Sequence, residues 1–222
     1  MKGVLISFEG IEGSGKTTQA RLLSEHLSGK GYKIILTEEP GGTAIGLGIR
    51  KVLLEVEHAR MHCVTELLLY YASRCQLVNE VILPALGDGK IVITDRFSDS
   101  TFAYQGSGRG IDVKVIRAID DIATGGLRPN LTFLLDLDAD NGLRRNRDAS
   151  KVDRIELEDI GFHSRVRSGY LDLADSEPQR IRVIDASMNI GEVQKKVYEV
   201  VEAMHLLTKA RTIAAGTSNA IV

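Results

Sequence analysis

The chain has no surplus of positive charge: its formal net charge is −2 over 222 residues. That balance gives no electrostatic case for a nucleic acid or an anionic membrane as partner. Cysteine is scarce, with 2 in the chain, Cys63 and Cys75. Both fall on one expected helix and form no metal-ligand cluster, so reduced thiols of a cytoplasmic protein are expected. No apolar run approaches the length of a membrane-spanning helix. The run after Lys2 is too short for a signal peptide and ends in a glycine-rich loop, so it reads as a strand. Internal repeats and Pro-rich linkers are missing as well. The expectation is a soluble domain over residues 1–208, followed by a flexible tail at 209–222 rich in small residues.

What the chain does have is Gly10-Ile11-Glu12-Gly13-Ser14-Gly15-Lys16-Thr17, a match to the phosphate-loop pattern G-x-x-x-x-G-K-T/S. The apolar run Gly3 to Phe8 precedes it, and the chain from Thr18 onward reads as a helix. A strand, loop and helix in this order aim several backbone N–H groups and a helix N-terminus at one point, where phosphate oxygens can sit. Lys16 would reach the β- and γ-phosphates, and the Thr17 hydroxyl would ligate Mg²⁺. The other reading, a glycine-rich turn before an ordinary helix, leaves the placing of Lys16 and Thr17 without a reason. The loop is therefore expected to bind a nucleoside triphosphate.

Further strands are expected at Lys33–Thr37, Lys90–Thr94, Leu131–Leu137 and Arg180–Ile184, which are short and β-branched or leucine-rich. Between them, helical patterns cover Ala44–Leu54, Cys63–Leu86, Val113–Ala123, Glu156–Ala174 and Ile190–Leu207. Strands apolar on both faces and separated by helices imply an α/β fold with a parallel sheet of five strands covered on two sides. Ligands in such folds gather at the carboxyl ends of the strands. Three polar groups fall there: the phosphate loop, Glu38-Glu39-Pro40-Gly41-Gly42-Thr43, and Asp95-Arg96-Phe97. The basic segment Arg144–Arg154 reads either as a solvated loop or as a flap, spanning about 142–155, that neutralises transition-state charge.

A phosphate loop alone does not separate GTPases, ATPase motors and small-molecule kinases. The Asn-Lys-x-Asp element by which a GTPase reads its base is absent. A motor would place acidic residues together at a strand end; here the third strand ends in Asp95-Arg96. That pair suits a phosphorylated acceptor, with Asp95 beside the metal and Arg96 gripping the acceptor phosphate in bidentate fashion. A structural Asp–Arg ion pair is the alternative, and it stays open at this point.

Taken in order, F-E-G-I-E-G-S-G-K-T-T-Q, E-P-G-G-T (Glu39 to Thr43), Y-Y-A-S-R (Tyr70 to Arg74), D-R-F (Asp95 to Phe97), A-Y-Q-G-S-G-R-G (Ala103 to Gly110) and D-R-I-E (Asp153 to Glu156) resemble the bacterial thymidylate kinases from Lys2 to about Leu207. The resemblance implies a three-layer P-loop kinase fold, ATP and Mg²⁺ as cofactors, dTMP as acceptor and a homodimer. It implies that Tyr70 stacks on the thymine base and Arg74 donates to a base carbonyl; residues four apart share a helix face. The apolar stripe Val64, Leu67, Leu68, Tyr71, Cys75, Val78, Ile82 puts that pair beside the expected buried face. It also implies Glu12 near the acceptor sugar, Tyr104 and Gln105 as an acceptor-site pair, Arg50 as a further phosphate residue, and Asp95 with Thr17 at the metal. Donor contacts fall to Thr18 and to the flap residues Arg145, Arg147 and Arg154. Relatives with Gly where others carry a loop arginine supply that charge from the flap, and Gly13 stands at that point.

Two positions depart from the pattern. Glu38 stands where these kinases commonly carry Arg, a reversal of charge near an anionic substrate. Ala149 and Ser150 stand where another flap Arg is common, with Lys151 as a substitute. Other readings are a kinase for UMP or dUMP, a switch ATPase that hydrolyses ATP without an acceptor, and a binding module that has lost catalysis.

Overall fold

A computed structural model describes residues 3–148 and 153–204, with only the main chain described for 146–148. The first strand, β1 (Val4–Glu9), is buried at every position, as its unbroken apolar run requires of a central strand. A glycine-rich turn leads into α1 (Lys16–Gly29) and then β2 (Ile34–Glu38). Next come α2 (Ala44–Leu54), capped by the Thr43 side chain on the Gly46 amide, and α3 (Cys63–Leu77). The expected single helix to Leu86 is instead α3, a π-helical stretch at Val78–Ile82 and α4 (Leu83–Gly87). Pro84 sits in the first turn of α4, where its missing N–H costs least.

After β3 (Ile91–Asp95) the chain forms α5 (Ser98–Thr101), a π-helical stretch at Phe102–Gly108 and α6 (Val113–Thr124). Then follow β4 (Leu131–Asp136), α7 (Ala139–Asp148), α8 (Ile160–Ser176), β5 (Ile181–Asp185) and α9 (Ile190–Ala203). The five strands are all parallel in the order β2-β3-β1-β4-β5. The strand order reverses beside β1, which opens a crevice at the carboxyl ends of β1 and β3. Phe8 stacks on Phe133 across the β1–β4 pair, 5.0 Å between ring centres, inside the main core.

Two expectations need correction. The basic segment is helical through Asp148 rather than a loop, because the Asp138 carboxylate accepts from the amides of Asp140 and Asn141 and starts a helix there. The helix read from Glu156 begins only at Ile160: Asp153 caps a turn at Ile155 and Glu156, and Asp159 caps α8 on the Phe162 amide. The expected tail, Lys151 and the end of the last helix beyond Met204 lie outside the described residues.

Candidate active site

The phosphate loop turns on glycines with φ of 138° at Gly10, 71° at Gly13 and 92° at Gly15, conformations that side chains resist. Gly13 is also tight: a Cβ there would stand 2.2 Å from the Gly142 carbonyl oxygen, and one on Gly142 would stand 2.5 Å from the Glu12 carbonyl oxygen. The first turn of α7 therefore rests directly on the loop. Lys16 lies almost buried, its ammonium donating to the Ile11 carbonyl at 2.7 Å and to Ser14 Oγ at 3.4 Å. Burial pushes it down to about 8, Arg96 adding to the effect while Asp95, Glu12 and Glu9 oppose it. A phosphate supplies the counter-charge this lysine needs.

The Thr17 hydroxyl donates to Asp95 Oδ2, so the two groups expected at a metal face one another at the loop's mouth. Arg96 takes a left-handed backbone, φ 74°, and turns its side chain back under the loop. Its ion pair is with Glu12, Nη2 to Oε1 at 3.0 Å, not with the neighbouring Asp95. Tyr104 donates to the same Glu12 oxygen at 2.6 Å and accepts from Arg96 Nη2 at 3.1 Å. Burial works to raise the Glu12 carboxyl, but His163, Arg96, Lys16 and Tyr104 outweigh it and hold the group well below the usual carboxylate range. His163 Nδ1 stands 3.4 Å from Glu12 Oε2, in contact though not aligned as a hydrogen bond.

Glu12, Arg50, Tyr70, Asp95, Arg96, Tyr104 and Gln105 all line one cleft of about 430 Å³ with the loop. Tyr70 borders it as expected, but the stripe drawn for α3 does not hold throughout: Val64 and Leu68 are exposed, 42% and 51%. Arg50 Nη1 donates to the Pro40 carbonyl at 2.7 Å and stands 3.5 Å from Glu38 Oε2, so the unusual acid lies against the candidate phosphate residue. Arg74 is wholly buried behind the cleft wall. It donates to Glu39 at 2.6 Å, Thr101 Oγ1 at 2.9 Å and the Phe97 carbonyl at 3.0 Å. Burial pushes Glu39 up, to about 7, with Arg74 pulling the other way.

The flap arginines divide. Arg145 donates to the Ala186 carbonyl at 3.0 Å and borders both the first cleft and a second, of about 630 Å³. That second cleft runs from Gly13–Gly15 and Thr18 to the turn before α9 and the first turn of α9, from Ala186 to Val193, whose part no motif had signalled. The Arg147 side chain lies outside the described residues. Arg154 is not turned to the loop: it is buried against Glu66 at 2.6 Å and the Leu53 carbonyl at 2.9 Å, on the acceptor side. Gln105 and Arg109 bind the same Glu66 carboxylate, so this acid collects the wall of the acceptor cleft.

The model of the family described as "Thymidylate kinase" matches residues 8–197 of this chain. The chain belongs to the thymidylate kinase family. The curated thymidylate kinase of Geotalea uraniireducens is 46% identical over 207 residues, covering 90% of this chain and 97% of the relative. That of Caldanaerobacter subterraneus subsp. tengcongensis is 46% identical over 202 residues, covering 91% and 96%. The crystal structure of thymidylate kinase from Ehrlichia chaffeensis superposes with a TM-score of 0.74 at 36% identity, over 90% of this chain and 99% of that one. Thymidylate kinases are nucleoside monophosphate kinases with ATP as phosphate donor, and the two clefts meeting at one phosphate loop suit a donor and an acceptor nucleotide.

Within the frame of a thymidylate kinase, the polar residues at or behind the site that went unassigned in the sequence include Glu9, Glu66, Ser100, Thr101, Arg109, His163 and Tyr170. For Glu9 a signal existed, an acid at the end of a strand expected to be buried on both faces. For His163 and Tyr170 none did, since their places on α8 depend on how that helix packs under α5.

Proposed function

We propose that this chain transfers the γ-phosphate of ATP to dTMP, giving ADP and dTDP. The observation that carries this reading is the sharing of Gly13, Gly15, Thr18 and Arg145 by the two clefts, which puts one set of phosphate ligands between two nucleotide-sized spaces. The attacking group is an oxygen of the acceptor phosphate, already anionic near neutral pH, so positioning and charge neutralisation carry the rate. Lys16 meets the donor's terminal phosphates, and Arg145 the donor from the α7 side. Arg96 meets the acceptor phosphate, which competes with Glu12 for the Nη2 edge, while the Glu12 carboxylate serves the sugar hydroxyl. Tyr70 stacks on the base, Tyr104 lies along the sugar with Gln105 beside it, and Arg74, behind the wall, contributes by holding Thr101 at the cleft.

Mg²⁺ fits the residues present. Among the described residues no cluster of three or more His, Cys, Asp or Glu forms a metal cage, whereas Thr17 and Asp95 face each other beside the phosphates. So sparse a set of protein ligands is what magnesium sites commonly offer. Thr17 and Asp95 would hold the ion, which would supply neutralisation of phosphate charge.

The test is ADP release with Mg-ATP against dTMP, dUMP, UMP, CMP and AMP, with a no-acceptor control. Preference for dTMP is expected. ADP release without acceptor would mark a switch ATPase, and preference for another monophosphate would overturn the base site.

Glu38 makes a chain-specific prediction. Held against Arg50, it draws on the positive charge offered to the acceptor phosphate. Glu38→Gln should lower KM for dTMP by about two- to fivefold and leave KM for ATP alone, since the pair is partly exposed and weak. An unchanged KM for dTMP would release Arg50 from its phosphate role.

Exposed apolar side chains gather on helices packed side by side: Ile45 and Val52 on α2, Val64 and Leu68 on α3, Val113 on α6. We infer that this face closes a homodimer. Sedimentation at micromolar concentration should give twice the chain mass, and the chain mass alone would refute it.

A further inference from the structure

Glu9, the last residue of β1, is fully buried, does not line either cleft, and has no part in the chemistry above. Its carboxyl group nevertheless accepts from three donors. The Phe97 amide reaches Oε1 at 2.7 Å, and the Ser100 hydroxyl and the Tyr170 hydroxyl reach Oε2 at 2.6 and 3.0 Å. All three donors border Arg96. Phe97 is the next residue in the chain, and Arg96 Nη1 donates to both Ser100 Oγ and Tyr170 Oη, each at 3.2 Å.

We infer that Glu9 is the positioning residue for Arg96, holding its backbone turn and setting the direction of the two hydroxyls on which its guanidinium rests. The inference rests on the reading of Arg96 as the residue that meets the acceptor phosphate.

The backbone half follows from two amides. Arg96 carries φ 74°, a left-handed conformation that any residue with a Cβ resists and that surrounding bonds must hold. Its own amide donates to the Phe8 carbonyl at 2.9 Å, and the next amide donates to Glu9 Oε1. The last two residues of β1 thus clamp the turn on both sides. The side-chain half follows from hydroxyl protons. Each hydroxyl has one proton to give and lone pairs to receive. The Ser100 proton goes to Glu9 Oε2, and the Tyr170 proton goes to the same oxygen or to Ser100 Oγ, 2.7 Å away; on either path both hydroxyl oxygens face Arg96 Nη1 as acceptors. Gly10 adds its carbonyl to the same nitrogen at 3.0 Å. Arg96 is thereby fixed from behind by three neutral acceptors, with its other terminal nitrogen left to the cleft side, where Glu12 and Tyr104 meet it.

Glu9→Gln keeps the shape and reverses one end of this pattern. The new NH₂ must point at the Phe97 amide or at the two hydroxyls. In the first case the turn loses its clamp; in the second at least one hydroxyl proton swings toward Arg96. Either way the harm reaches the reaction through Arg96, while the donor site keeps its residues.

The experiment is a double-mutant cycle on the full chain: unmodified protein, Glu9→Gln, Arg96→Lys and the double variant, each with kcat and KM for dTMP and ATP and a thermal melt. Glu9→Gln should lower kcat/KM for dTMP roughly tenfold, with KM for ATP within about twofold. Arg96→Lys should lower kcat/KM roughly a hundredfold, and the double variant should be no worse than Arg96→Lys alone. Full activity in Arg96→Lys would bring down the reading of Arg96 and the inference with it. An impaired Arg96→Lys on which Glu9→Gln still exacts its whole penalty would overturn the inference alone, as would an equal rise in KM for ATP. Should Glu9→Gln fail to fold, Tyr170→Phe removes a single hydroxyl, leaves Glu9 in place, and takes its position in the same cycle with the same criterion.

Discussion

Lys16→Ala is expected to cut turnover with ATP and dTMP roughly a thousandfold while leaving the melting temperature no lower. The two halves of that expectation have one cause. Lys16 is a buried cation whose nearest bonds are to a carbonyl and a hydroxyl, and Arg96 repels it. Its two bonds and the pull of Asp95, Glu12 and Glu9 fall short of repaying the desolvation of its charge, so removal relieves the fold. The charge is instead matched to a phosphate, and most fully when negative charge is redistributed over the transferring group. The loss should therefore fall on kcat more than on KM for dTMP, in steady-state assays paired with a thermal melt. Turnover within tenfold of normal would remove Lys16 from the phosphoryl-transfer step. A large drop in melting temperature would mean that its bonds to Ile11 and Ser14 hold the loop together.

Arg74→Ala should show the opposite balance, a stability loss of about 3 kcal/mol together with weaker dTMP binding. The side chain is wholly enclosed, donates three bonds to two segments, the loop after β2 at Glu39 and α5 with its cap at Phe97 and Thr101, and lies 5.0 Å over the Tyr71 ring and 5.5 Å over Phe97. Truncation strands the buried Glu39 carboxyl, whose other oxygen already lacks a partner. For a chain of this size the melting temperature should fall by roughly 6–12 °C. Pairing Arg74→Met with Glu39→Gln removes both charges at once and should recover much of the stability but not the dTMP affinity, because Thr101 at the cleft is no longer held. Recovery of dTMP affinity in the double variant would show that Arg74 serves the wall alone; an unchanged melting temperature in Arg74→Ala would show that the buried pair contributes no stability.

How much of this was legible in the sequence depends on how local the physics is. The phosphate loop was, because its glycines, lysine and threonine act within eight consecutive residues and the strand before them is apolar throughout. The carboxyl-end placing of Glu38–Thr43 and Asp95–Arg96 followed from strand position alone. Less was legible where a partner decides the outcome. Val183 was read as part of a strand apolar on both faces, yet it is half exposed on β5, an edge strand. Val64 and Leu68 followed the helical period but face outward, since period gives a stripe and not what covers it. The resemblance implies Arg154 at the donor phosphates, whereas Glu66, distant in the chain, holds it. The left-handed turn of Arg96 had no signal at all: a non-glycine residue in that conformation is held by neighbours, and those neighbours arrive from β1 and α8.

The contact between Gly13 and Gly142 bears on how such a site can change over generations. Two places exist from which an arginine can serve the donor phosphates, the loop itself and the helix above it, and here the helix holds Arg145. A single substitution of Gly13 by Arg does not add a second charge to the first. Its Cβ would meet the Gly142 carbonyl at 2.2 Å, so α7 must lift before the new side chain has room, and lifting α7 carries Arg145 off. The two placements exclude one another by volume before charge enters. A lineage passing from one to the other therefore exchanges one arginine for the other instead of holding both.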